Sequence, residues 1–108
     1  MDIKLLYFDG SPSWQSALAN LKTALSRENL HVNIELVKIN NLDEAIQNQF
    51  LGSPSIHIGD SDLWPEPQGN YFMGCRVYPT SEGLKGIPTV EMFQEKLAGY
   101  KFAESGMV

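Results

Sequence analysis

Ser11, His31, His57 and Cys75 are the side chains of this sequence that could attack, relay a proton or hold a soft ion. Their number and spacing already exclude several chemistries. One cysteine forms no intramolecular disulfide, so a C-x-x-C dithiol cycle is ruled out by counting. His31, His57 and Cys75 are too scattered for a zinc ligand set, and neither a metal nor another cofactor is expected. Ser11 lies in FDGSPSW, a polar turn between an apolar run and a helical pattern. A serine hydroxyl ionises far above neutrality and needs a general base to become a nucleophile. His31 stands before the second predicted strand and His57 on the third, and there is no G-x-S-x-G elbow. Ser11 therefore reads first as a helix cap, worth about 1 kcal/mol over alanine, with Pro12 as the first helical residue. Cys75 follows Gly74 and precedes Arg76, whose charge favours a thiolate if the two side chains lie close. The opposing reading is a buried, inert thiol.

The elements that must position these residues follow from periodicity. IKLLYF, residues 3–8, is an apolar run bounded by Asp9-Gly10 and reads as a buried strand. Trp14, Leu18, Leu21 and Leu25 recur at helical spacing, so an amphipathic helix follows, with Trp14 as a packing residue or the wall of a groove. VNIELVKI, residues 32–39, is a second strand, and the intervening helix makes a parallel β-α-β crossover the expected connection. Asn41 to about Phe50 is a short helix ended by Gly52-Ser53-Pro54. SIHI, residues 55–58, is a third strand, with Gly59 to Asp62 as a turn and Leu63-Trp64 starting its antiparallel partner. YFMGCRVYPT is an extended insert, and Ser81 to Gly86 is turn-rich. Pro88 opens a last helix with Val90, Phe93 and Leu97 on one face, stopped at Gly99.

The 108 residues fit one domain, 1–108, with 98–108 packing or fraying. Apolar residues make up 43%, enough for a core without staples. Thirteen acids against eight bases give a net charge of -5, which disfavours nucleic acid. No apolar run approaches the roughly 18 residues of a membrane span, and the first residues lack a signal peptide's layout. A cytoplasmic protein is the expectation. Trp14, Trp64, Tyr71 and Phe72 could form an aromatic patch, so monomer and homodimer both stay open.

The order β-α-β-α-β-β-insert-α is that of the thioredoxin fold, an α/β architecture with a mixed four-stranded central sheet flanked by helices. FDGSPSW lies where that superfamily places its active-site turn, and Pro54 of FLGSPSIHIGD matches its cis-proline. The chain also resembles, over nearly its full length, a small bacterial thioredoxin-like family labelled alkylmercury-lyase-like or selenoprotein-like. YFDGSPSW, FLGSPSI, GCRVYPTSEGLKGIP and the closing helix carry the resemblance. The family motif is G-C-P-x-W, or selenocysteine at the cysteine, so Ser11 is the departure. The resemblance implies a thiol-redox-type protein that lacks its dithiol here, redox-inactive or acting through Cys75 as a monothiol. It implies a groove at Ser11, Trp14, Ser53 and Pro54, with Arg76 beside Cys75, open to a small thiol or an extended peptide. The alternatives are a non-catalytic peptide or small-molecule binding module and a handler of organomercury or heavy metals through thiolate.

Overall fold

The computed structural model describes residues 2–66 and 69–105. It is a mixed α/β structure with a four-stranded sheet and three helices. The strands are β1 (Ile3–Tyr7), β2 (Ile34–Lys38), β3 (Ser55–Ile58) and β4 (Ser61–Asp62), in the order β2-β1-β3-β4. β1 and β2 are parallel, with Ile3 opposite Ile34. β3 runs antiparallel to both β1 and β4, with Ile3 opposite Ile58 and His57 opposite Asp62. The parallel pair needs a crossover, and α1 (Trp14–Arg27) supplies it.

β1 is central and apolar on both sides, and each side has its own core. Ile3 and Ile56 pack with Leu21, Ala24 and Leu25 of α1 and with Phe93 and Leu97 of α3 (Val90–Ser105). Leu6 packs on the opposite face with Ile39, Phe50 and Ala45 of α2 (Leu42–Gln47). The period-2 alternation of a strand sends its residues to these two sides. A fully buried Leu or Phe contributes about 1.5–3 kcal/mol, so the two clusters fix which helix covers which face.

Four local expectations are corrected. Ser11 does not cap α1: the N-cap is Ser13, which makes no side-chain cap bond. Ser11 turns inward instead, its N–H donating to the Phe8 carbonyl at 3.1 Å and its hydroxyl buried without a hydrogen-bond partner. Pro12 accordingly precedes the helix. Gly99 does not stop α3, which runs on to Ser105. A single glycine costs only about 1 kcal/mol in a helix, less than packing Phe93 and Leu97 returns. The partner of β3 begins at Ser61 rather than Leu63, because Gly59 takes the left-handed conformation (φ +62°) and closes the turn within two residues. The Leu63 N–H still donates to the Ile56 carbonyl. Residues 106–108 of the expected tail lie outside the described residues.

Beyond β4 the chain returns across the end of the sheet and forms a hairpin, β5 (Tyr78–Thr80) and β6 (Gly83–Lys85). The Ser53–Pro54 peptide bond is cis.

Candidate functional site

The turn before β3 and the turn before α1 meet through one residue. The Phe8 N–H points at Ser53 Oγ (3.4 Å), and its carbonyl accepts from the Ser11 N–H. Ser11, Ser53 and Pro54 are buried here. The Ser11 hydroxyl is sealed from solvent and has no hydrogen-bond partner. Trp14, one turn along, stacks on Tyr7 with ring centroids 4.2 Å apart. It packs on the sheet end while remaining partly open to solvent.

The insert occupies the backbone beside Pro54. The Ser53 N–H donates to the Gly74 carbonyl at 2.8 Å, and the Arg76 N–H donates to the Ser53 carbonyl at 3.0 Å. Cys75 is thereby paired with Ser53 as a single parallel bridge. Gly52 makes the approach possible: its φ is +106°, and a Cβ there would lie 2.9 Å from the Phe72 ring and 3.1 Å from Arg76 Cβ. An extended peptide meets no free pairing groups at Ser53, because residues 74–76 use them already.

Residues 75–78 alternate in direction. Cys75 and Val77 are exposed, whereas Arg76 and Tyr78 are buried. The expected pairing of Arg76 with the Cys75 thiol is therefore corrected: alternation sends the two side chains to opposite sides of this segment. Arg76 instead anchors a buried polar network. One guanidinium nitrogen donates to Asp62 Oδ2 at 2.7 Å and to Ser55 Oγ at 3.1 Å; the other donates to the Trp64 carbonyl. The Arg76 and Asp62 side chains are only 4% and 6% exposed. The guanidinium carbon also lies 4.7 Å from the centre of the Tyr78 ring, a cation–π contact. Tyr78 in turn donates its hydroxyl proton to the Pro54 carbonyl at 2.6 Å, and burial holds its phenol well above the ordinary tyrosine range.

His57 lies beside Asp62 in the same network. Its Nε2 is 3.7 Å from Asp62 Oδ2, too far for a hydrogen bond, and is buried without a partner. Desolvation lowers its pKa from the ordinary imidazole value; Lys4 and Arg76 push the same way against Asp62 and Asp60. The Ser11 hydroxyl makes no hydrogen bond, so among the described residues no base is poised against it for a serine nucleophile. His31 is exposed at the other end of α1.

Asp62 was not singled out from sequence, and Arg76 was given the wrong partner. The alternation in CRVY, with Arg76 in phase with Tyr78, was the available signal that the arginine points inward. Among the described residues no cluster of His, Cys, Asp and Glu can hold a metal ion, and no helix is long and apolar enough to cross a membrane. No protein-family model, curated protein or solved structure matches the chain at a significant level.

Proposed function

We propose that this chain is a thioredoxin-like domain without a dithiol, in which Cys75 acts as a monothiol presented beside the buried Ser11–Pro54 turn. The fold reading is supported by the succession β-α-β-α-β-β-α once the β5–β6 hairpin before α3 is set aside as an insert, and by the strand order β2-β1-β3-β4 with β3 antiparallel to its neighbours. The observation that carries the functional reading is the pairing of Cys75 with Ser53, which leaves its side chain exposed. The thiolate attacks one sulfur of a low-molecular-weight disulfide. A new S–S bond forms to Cys75, the old one breaks, and the departing thiolate takes up a proton. No second cysteine exists to resolve the adduct, so it persists until an external thiol reverses the exchange.

The peptide-binding alternative is weaker, because an incoming strand must first displace Gly74 and Arg76 from Ser53. The test is incubation of native protein with oxidised glutathione, followed by intact mass and an insulin-reduction assay. One mixed disulfide, reversed by dithiothreitol and absent from Cys75→Ser, together with no insulin reduction, is the expected result. A native thiol that reacts only after denaturation overturns the monothiol reading, and insulin reduction by the parent overturns the absence of dithiol chemistry. A Ser11→Cys variant that gains insulin reduction supports thiol-redox descent; continued inactivity of that variant counts against it.

A further inference from the structure

His57 and Arg76 flank one carboxylate. In register, His57 stands opposite Lys4 on β1 and opposite Asp62 on β4. Both oxygens of Asp62 are in use: Oδ1 accepts from the Trp64 N–H at 2.8 Å, and Oδ2 accepts from Arg76 at 2.7 Å. His57 Nε2 lies 3.7 Å from that same Oδ2, sealed from solvent and without a partner. An approach of roughly 0.5–1 Å brings it within hydrogen-bond distance. While the imidazole is neutral, one carboxylate serves one guanidinium. An imidazolium sets two cations on it, in a place where all three side chains are buried. Surplus charge there is costly unless one cation leaves.

The second observation is that Arg76 has another carboxylate within reach. Glu66 Oε2 lies 3.9 Å from Arg76 Nη2, on a side chain that is 58% exposed. A guanidinium that turns to Glu66 carries its charge toward water and leaves Asp62 to the imidazolium. The same residue anchors segment 74–76. The Arg76 N–H donates to the Ser53 carbonyl, and the Ser53 N–H donates to the Gly74 carbonyl. These two bonds make a single bridge rather than a ladder, so the buried Arg76 side chain does much of the holding. Two residues on, the Tyr78 hydroxyl is bonded to the Pro54 carbonyl and bounds any movement.

We propose that His57, Asp62 and Arg76 form an acid-sensitive latch: protonation of His57 transfers Asp62 from Arg76 to the imidazolium, Arg76 turns outward to Glu66, and segment 74–76 lifts from Ser53 and carries Cys75 with it. The latch sets the position of Cys75 whether or not that thiol reacts, so it does not rest on the monothiol reading.

The groups facing His57 fix the direction. Lys4 and Arg76 oppose its protonation, Asp62 and Asp60 favour it, and residues 47–49 beside α2 add only neutral amides. Burial outweighs the carboxylates and holds the imidazole neutral, so the latch is closed at neutral pH. Opening relieves the imidazole of that constraint, and the open fraction rises by up to about tenfold per pH unit below 6.5.

The test is amide hydrogen exchange of the full chain by NMR at pH 7.5, 6.5 and 5.5, corrected for intrinsic exchange, with and without urea below the unfolding transition. The Ser53 and Arg76 amides should exchange through an opening that urea does not promote and acid does, whereas paired amides of β1 and β3 exchange only through urea-dependent unfolding. His57→Gln should flatten the acid dependence. Glu66→Gln, an exposed change that leaves the buried network intact, should lower the open fraction about two- to fivefold at pH 5.5, in keeping with an exposed charge pair. Cys75→Ser should leave the dependence unchanged. Exchange at Ser53 and Arg76 that follows urea as the sheet does, an acid dependence that survives in His57→Gln, or an open fraction unaltered in Glu66→Gln would each overturn the latch.

Discussion

Replacing Arg76 by methionine should be among the most damaging single changes available to this protein. The variant keeps an unbranched apolar stem as far as the position of Nε but deletes the guanidinium. Asp62, 6% exposed, then stays buried without its 2.7 Å partner, and Ser55 Oγ and the Trp64 carbonyl each lose a donor. Removing one member of a buried ion pair costs about 3–5 kcal/mol, against a total stability of about 5–15 kcal/mol for a domain. For a chain of this length that is a fall in Tm of roughly 12–20 °C. The mechanism is the stranded carboxylate rather than lost packing, so removing the carboxylate too should restore stability. The double variant Asp62→Leu, Arg76→Met should lose at least about 2 kcal/mol less than the sum of the two single losses. Urea unfolding read by the fluorescence of Trp14 and Trp64, with unchanged m-values, measures all four species. A loss below about 1 kcal/mol for Arg76→Met, or strictly additive losses, would refute the reasoning.

Three further outcomes follow from other groups. Because burial lowers the folded-state pKa of His57, the unfolded chain binds this proton more readily. The stability contributed above pH 6.5 is therefore lost as pH falls toward the depressed value. Urea midpoints of the parent should drop between pH 7.5 and pH 5 more steeply than those of His57→Gln, and parallel slopes would contradict the assignment. Ser11→Ala removes a buried hydroxyl without a partner and should be neutral or stabilising by up to about 1 kcal/mol; a measured loss above about 1 kcal/mol would show a bond that the structure lacks. Asn41→Ala should cost about 1 kcal/mol in thermal unfolding, since Asn41 Oδ1 accepts from the Glu44 N–H at 2.9 Å while Glu44 Oε1 reaches back to the Asn40 N–H. No change on that substitution would mean that α2 is held by packing alone.

The strands and helices were readable because burial on one or both sides imposes a period, and Ile3, Leu5, Leu6, Leu21, Leu25, Phe93 and Leu97 display it plainly. The ends of elements were less readable. Ser11 and Ser13 are equally good caps by type, and only the turn back to Phe8 decides which one lies beneath the helix. Gly99 reads as a stop because sequence shows its propensity but not the packing on either side of it. The Arg76–Asp62 pair was hidden for a different reason: two opposite charges in a chain of mixed charge look like surface residues until the β3–β4 pair and the segment 74–76 bring them together beside Trp64 and Tyr78. Ser11, Ser53 and Pro54 were legible as neighbours through their turns, whereas the capture of Ser53 by residues 74–76 depends on a long-range return of the chain.

The place of β1 in the middle of the sheet bears on how the protein is made. Synthesis delivers this strand well before its neighbours: Ile3 must await Ile34 on one side and Ile58 on the other. At about 5–20 residues per second, a β1 released from the ribosome spends roughly 3–10 s with an unpaired edge facing its later partner. Ile3, Leu5 and Leu6 are an aggregation hazard during that interval. Asp2, just ahead of the apolar run, and Lys4, within it, place charges where gatekeepers against pairing with other nascent chains are found. Replacing both by apolar residues should leave the refolded domain little changed in stability while shifting newly synthesised protein into the insoluble fraction, a cost borne in the cell and not in the folded state.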